Sequence, residues 1–349
     1  MANLTYSEQQ ERSVHIKLMK MQKQLPEFCK DFFRGIEPLT QPRTRLAYAY
    51  DLTVFFNFLI NVNPLYRTYS PGDFTLSDLE KITTSDIEEY LEYLKYRPDE
   101  DREIINKESG LKRKLSSLKS FYNYLFRTER IKTNPAALCR LPRIREKDII
   151  RLEYNEVARL LDEVDSGENL SERQKAYHKR TRVRDAAILT LLLGTGMRVS
   201  ECVGINIKDI DFENTSVRIL RKGGKEAVVY FGDEVLTALS AYLEERRHII
   251  AEAGSEEAFF LSLQNKRMSV RSVENMVKKY ASIVTPLKHI TPHKLRSTYG
   301  THLYQETGDI YLVADVLGHS DVNTTKKHYA AMKEDRLRKA RSAVKLRNA

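Results

Sequence analysis

Thr291-Pro292-His293-Lys294-Leu295-Arg296, then Leu317-Gly318-His319, then Thr324-Thr325-Lys326-Lys327-His328-Tyr329 make up the decisive stretch of the sequence. Thr291 is placed to cap a helix whose first residue is Pro292, where the missing N–H costs nothing. His293 and Arg296 are three residues apart, so they share one face at the positive end of that helix, where a phosphate is favoured. The apolar run over 310–317 predicts a short helix stopped by Gly318, with His319 just beyond it. Tyr329 follows in a polar segment, with His328 beside it as a second imidazole. A phenol, with a pKa of about 10, is a poor nucleophile at neutral pH. It needs cations and a proton acceptor around it, and this stretch carries both.

The 349 residues allow two domains at about 150 residues each. A composition of 41% hydrophobic and 30% charged residues, without Trp, is that of a soluble globular protein. The formal net charge of +10 favours a polyanionic partner, of which nucleic acid is the commonest. Cys29, Cys139 and Cys202 stand singly, with no CxxC or Cys/His grouping. That pattern speaks against a zinc site or a disulfide scaffold and reads as reduced thiols. No run approaches the ~18 apolar residues of a membrane span, and no apolar signal segment opens the sequence. A cytoplasmic protein with no membrane partner is therefore expected.

Residues 1–25 read as a polar N-terminal arm, either a docked helix or a mobile one. Pro42 precedes a helical pattern over 43–60, in which Leu46, Tyr50, Val54 and Phe58 recur every four residues and Phe55 and Leu59 widen the face. Arg43 and Arg45 stand at its start. Ser85 and Glu88 fit a capping box ahead of Ile87, Leu91 and Leu94. A third helix is predicted over 108–127, with a buried stripe of Leu111, Leu115, Leu118, Tyr122 and Leu125. Its other positions include Lys112, Arg113, Lys114 and Lys119, either a solvated charged face or one laid against DNA phosphates. Residues 139–151, basic and containing Pro142, read as an interdomain linker.

Beyond the linker the pattern predicts a helix over 154–164, a polar insertion over 165–182, and a buried helix over 185–193. That helix ends at Gly194-Thr195-Gly196 and delivers Arg198. Residues 215–220 and 227–231 alternate as antiparallel strands about the turn Lys222-Gly223-Gly224-Lys225. A helix over 234–250, a strand over 258–261 and a helix over 269–284 lead back to the opening stretch. A basic amphipathic helix with Leu337, Ala340 and Val344 closes the chain.

Singly, these features have ordinary explanations: Arg198 pairing with Glu201 at the surface, or a basic residue at a hairpin tip. Together and in this order, Arg198, Lys222, His293-x-x-Arg296, Leu-Gly-His319 and Tyr329 resemble the signature of the tyrosine recombinase (phage integrase) family. Thr-Gly-Met-Arg198-Val-Ser-Glu looks like that family's first arginine box and Arg-Lys222-Gly-Gly-Lys like its hairpin turn. Thr-Pro-His293-Lys-Leu-Arg296 and Leu-Gly-His319-Ser look like its second box. The resemblance covers the second half closely and the first in outline, and is nearest to the Xer group. Two details depart from the family pattern. The His319–Tyr329 spacing is one residue longer than usual, and Ser297 stands where many members have His.

The resemblance implies a mainly α fold with a small antiparallel β-sheet, in a two-domain tyrosine recombinase architecture. A helical, SAM-like core-binding domain (26–138) and a mixed α/β catalytic domain (152–332) would form a C-shaped clamp on DNA, with an exchange helix at 333–349. It implies phosphoryl transfer without metal or nucleotide cofactor. Tyr329 is the implied nucleophile, forming a 3′-phosphotyrosyl bond on the way to a Holliday junction. Arg198 and Arg296 would clamp the phosphate, Lys222 protonate the leaving oxygen, His293 accept the tyrosyl proton, and His319 bond the phosphate. Glu201 would orient Arg198. Expected DNA contacts are Arg43, Arg45, Lys112, Arg113, Lys114 and Lys119. Expected partners are duplex DNA with inverted-repeat half-sites, three further copies in a homotetramer on two duplexes, and an accessory translocase. The task would be chromosome-dimer resolution or integration and excision of a mobile element. The rival readings are a type IB topoisomerase relaxing supercoils and a non-catalytic DNA-binding protein that keeps the fold.

Overall fold

The computed structural model describes residues 5–99, 102–141, 150–221 and 224–318. Lys222, His319, Tyr329, residues 142–149 of the expected linker and the expected tail helix lie outside the described residues. The chain forms two units, Met1–Glu146 and Lys147–Ala349, both mainly helical and each with one small antiparallel sheet among the described residues.

In the first unit, α1 (Tyr6–Gln22) is started by a reciprocal cap between Thr5 and Glu8 and packs along α3 (Pro42–Val62), so this part of the expected arm is a docked helix. Between them lies α2 (Cys29–Gly35). The four-residue recurrence in α3 marks its buried face in part: Phe58 is buried and Leu46 and Val54 pack against the core, but Tyr50 is 51% exposed, and Ala49, Leu52, Phe55, Phe56 and Leu59 are buried as well. A step of four residues turns about 40° past one helical turn, so the series drifts across the helix and does not keep to the centre of its buried side. The core is aromatic: Phe32 and Phe121 meet edge to face at 5.3 Å, and Phe56 and Phe74 lie 5.1 Å apart.

Next come α4 (Leu76–Lys81) and α5 (Thr84–Tyr93). The capping box of α5 is Thr83 with Asp86, not Ser85 with Glu88. Two overlapping boxes are written there, and the earlier one lengthens the helix. An unforeseen hairpin, β1 (Tyr96–Asp99) with β2 (Arg102–Ile105), follows; its charged sequence lacks apolar alternation. Then α6 (Glu108–Arg127) buries Leu111, Leu115, Leu118, Tyr122 and Leu125 as expected, and α7 (Pro135–Leu138) is capped by Asn134.

One buried carboxylate holds α6 to α3. Asp51, 2% exposed, accepts from Arg113 at 2.5 and 2.7 Å, from Lys114 at 3.2 Å and from Ser117 at 2.6 Å. Burial lowers the Lys114 pKa, and Asp51 opposes that shift.

In the second unit, α8 (Tyr154–Ser166) leads to α9 (Glu172–Thr195), which replaces the expected polar insertion from residue 172 onward. The first half of α9 escapes a hydropathy reading because its inward line is polar. His178 bonds the Val164 carbonyl at 2.7 Å, and Thr181 and Tyr280 both bond Asp185 at 3.1 Å. Arg198 starts α10 (Val199–Gly204). The sheet follows, in the order β3 (Ile210–Asp211), β4 (Ser216–Leu220), β5 (Glu226–Tyr230), with Arg218 opposite Val228. After α11 (Asp233–Arg247), the expected strand over 258–261 makes only isolated bridges, from Ala258 to Asn206 and Leu261 to Arg267. Its apolar run fills the core instead, with Phe260 stacked on Tyr242 at 5.4 Å. The last described helices are α12 (Val270–Val284), α13 (Pro292–Thr307) and α14 (Ile310–Leu317). Thr291 precedes Pro292 at the α13 start, and Gly318 ends α14 in the left-handed region at φ 61°.

The cap of α9 is sterically exclusive. Gly196 has φ 63°, and a Cβ there would stand 2.4 Å from Tyr299 Cδ1 and 2.9 Å from Leu317 Cδ2.

Two stability measurements test this packing. Asp51→Ala strands the cations of α6 and should lower unfolding free energy by about 3 kcal/mol in urea titration; a loss under about 1 kcal/mol would mean that α6 docks without it. Gly196→Ala should cost about 2 kcal/mol more than Gly254→Ala. Both positions have positive φ, but a Cβ at Gly254 meets nothing within 4 Å. Equal losses would show that the Tyr299 ring yields.

Candidate active site

A helix C-terminus leaves its last carbonyls without intrahelical partners and carries partial negative charge. At the end of α14, three successive carbonyls each receive an arginine. Arg221 Nη2 donates to the Val316 oxygen at 3.1 Å, Arg296 Nη2 donates to the Leu317 oxygen, and Arg198 Nη2 donates to the Gly318 oxygen at 3.4 Å. These arginines come from the end of β4, from α13 and from the start of α10.

Arg296 is only 6% exposed, and its Nη1 also donates to the Gly196 oxygen at 2.7 Å. One guanidinium thus joins the C-cap of α9 to the end of α14. Two residues after Gly196, Arg198 is held by Glu201: the Arg198 backbone N–H donates to Oε2 at 2.7 Å and Nη1 to Oε1 at 2.9 Å. The Glu201 side chain is 4% exposed and that of Arg198 36%, so a buried carboxylate steers a cation that still reaches solvent. The named bonds of Arg221 and Arg296 go to neutral carbonyls. Beside Glu201, burial pushes the Cys202 thiol up, with the carboxylate adding to the shift, so this thiol stays protonated.

Arg198, Glu201 and Arg296 are therefore brought together. His293 lies exposed near the α13 start, and its carbonyl accepts Ser297 Oγ at 3.1 Å. Arg221 carries no role in the sequence reading, although the alternation of β4 is the signal for it. Val217 and Ile219 are buried, and Arg221 continues their side of the strand.

The expected DNA contacts divide. Arg45 is 6% exposed and bonds the Glu37 and Thr40 carbonyls at 3.0 and 2.9 Å, so it ties down its own chain and is not at a surface. Lys114 is sunk on Asp51 with an 11% exposed side chain. Arg113 shares Asp51 but stays 51% exposed. Lys119 reaches the Ala137 carbonyl at 3.3 Å, Lys112 is half-buried and Arg43 is exposed.

Sequence models of the phage integrase family and of the phage integrase N-terminal SAM-like domain match residues 151–336 and 30–129. Tyrosine recombinase XerC of Leptospira interrogans is 32% identical over 312 residues, 89% of this chain and 90% of the relative. That of Chlorobaculum tepidum is 33% identical over 307 residues, 85% and 87% of the two chains. Among solved structures, XerH site-specific recombinase bound to difH substrate shares the fold at TM-score 0.60 and 20% identity, over 86% of this chain and 79% of that one. The Tn1549 transposon integrase in complex with transposon right end DNA does so at TM-score 0.63 and 18% identity, over 88% and 98%. Two family models along the chain, and relatives above 30% identity across most of it, carry one conclusion: the chain belongs to the phage integrase family, and is a DNA strand-transferring tyrosine recombinase.

Proposed function

We propose that this recombinase cuts and rejoins duplex DNA at a specific site built of inverted-repeat half-sites, with Tyr329 as nucleophile. The observation that carries the proposal is the meeting of Arg198 and Arg296, from separate helices, on the adjacent carbonyls of Gly318 and Leu317. His319 is the next residue in the chain. A site of fixed guanidinium groups suits a phosphate whose charge grows in the transition state.

The phenol oxygen of Tyr329 attacks the scissile phosphorus, and the bond to O5′ breaks. The tyrosyl proton goes to His293, and O5′ takes a proton from Lys222. Arg198 and Arg296 hold the non-bridging oxygens, His319 adds a hydrogen bond, and Glu201 keeps Arg198 in place. The freed 5′-hydroxyl of another strand then attacks the phosphotyrosine and restores Tyr329. The number of phosphoester bonds is unchanged, so no external energy source enters. Repetition on the second strand pair passes through a Holliday junction, in a homotetramer linked by the residue 333–349 segments. The setting is cytoplasmic, and the task is chromosome-dimer resolution, with a translocase as accessory, or the movement of a mobile element.

Along the first unit, the exposed or half-exposed cations Arg43, Lys112, Arg113 and Lys119 are suited to phosphates, whereas Arg45 and Lys114 serve the fold.

Covalent adducts captured under denaturing conditions in cells should carry DNA from a discrete inverted-repeat site and vanish in Tyr329→Phe. A site between replichores identifies dimer resolution, and one at an element's end identifies transposition. Scattered adducts would replace recombination with relaxation, and no adducts would overturn the assignment of Tyr329. In DNA-binding titrations, Arg43→Ala and Lys112→Ala should each reduce the salt slope by about one unit. Unchanged slopes would remove these side chains from the interface.

A further inference from the structure

Arg221 touches two things at once: Gly224 and Lys225, where the hairpin returns, and the helix end that gathers the arginines. On the turn, its backbone N–H donates to the Lys225 oxygen at 2.8 Å and its carbonyl accepts the Gly224 N–H at 3.2 Å. At the helix end, Nη2 donates to the Val316 oxygen at 3.1 Å. The guanidinium lies flat against Gly318, where a Cβ would stand 2.3 Å from Nη1 and 2.5 Å from Cζ. Nε is sealed from solvent. This arginine is therefore a half-buried tether, with its Nε sealed and its Nη2 committed to the helix end.

We infer that Arg221 is a positioning residue for the proton donor Lys222, fixing the root of its turn to the α14 end on which Arg198 and Arg296 also rest. The inference depends on the assignment of Lys222 proposed above. Its physical basis is reach. A lysine has a long, flexible stem, so the position of its ammonium depends on where its backbone is anchored. Lys222 is bonded directly to Arg221. The Val316 and Gly318 carbonyls, two residues apart on one helix end, receive Arg221 and Arg198. Proton donor and phosphate clamp thus share a single mechanical reference. Without the guanidinium, what joins the turn to the site among the described residues is the backbone of β4 and β5, whose last strand pair is Leu220 with Glu226.

The test uses the purified full-length chain and a nicked duplex bearing the site recovered from the covalent adducts. The duplex is made with either the ordinary bridging oxygen or a bridging sulfur at the scissile 5′ position. A thiol, with a pKa of about 8.5, leaves without a proton donor, so the sulfur substrate bypasses Lys222. Arg221→Gln should cleave the oxygen substrate about 10- to 100-fold more slowly at saturating DNA, with half-saturating DNA and melting temperature near wild type. It should cleave the sulfur substrate at nearly the wild-type rate. Arg221→Lys keeps the charge at the helix end and should recover part of the loss; it also serves if the Gln variant fails to fold. Wild-type cleavage of the oxygen substrate, or equal slowing on both substrates, would overturn the inference. Lys222→Ala separates the two claims. If sulfur rescues Lys222→Ala and not Arg221→Gln, only the positioning role falls. If sulfur rescues neither, the proton-donor assignment falls with it.

Discussion

The last carbonyls of α14 are the constraint on which the second unit turns. A helix must end, and its final oxygens need donors that the helix cannot supply. Here the donors are guanidinium groups, brought from residues 198, 221 and 296 to residues 318, 316 and 317. The same contacts close the local fold and concentrate positive charge ahead of His319. Each of these three contacts is to a neutral carbonyl, so the helix end gathers the arginines without itself adding a full negative charge. The one carboxylate named in the cluster, Glu201, sits behind Arg198 and fixes its direction.

The first unit solves a similar problem with the opposite sign. Asp51 is a buried anion that gathers Arg113, Lys114 and Ser117 from α6. Burial of a lone carboxylate is costly, and pairing with several donors makes it tenable. The consequence for function is a division of labour among basic residues adjacent in sequence. The Arg113 side chain stays 51% exposed while that of Lys114 is sunk to 11%. A basic stripe in a sequence is thus a mixture of cations that face outward and cations that hold the protein together.

Local chemistry made much of this legible. The stripe of α6, the proline start of α13, the glycine stop of α14 and the hairpin strands are each written within a few residues, and each is observed. What the sequence hid depends on partners far along the chain. Nothing near Arg45, Lys114 or Arg221 announces that Thr40, Asp51 or Val316 will take their donors. The first half of α9 was hidden differently, because its inward line of His178, Thr181 and Asp185 is polar and leaves no hydropathy period. The buried run 258–261 shows the reverse error. Four apolar residues in sequence demand burial, but do not say whether a strand or a packed loop provides it. Order and spacing singled out Arg198, Arg296, the imidazoles and the tyrosine as candidates, whereas the α14 end on which Arg198, Arg221 and Arg296 converge could be seen only in three dimensions.

The missing side chain at Gly318 also bears on how such a site can change over time. The Arg221 guanidinium occupies the space a methyl group would take there, much as Tyr299 and Leu317 occupy it at Gly196. Residues almost a hundred positions apart are therefore not independent as heritable units. A lineage that replaces Arg221 opens room beside Gly318, and one that retains Arg221 keeps that neighbour bare. Opening that space would not by itself admit a side chain, because Gly318 also sits at φ 61°; replacing Arg221 would relax one of two constraints on the glycine and leave the other.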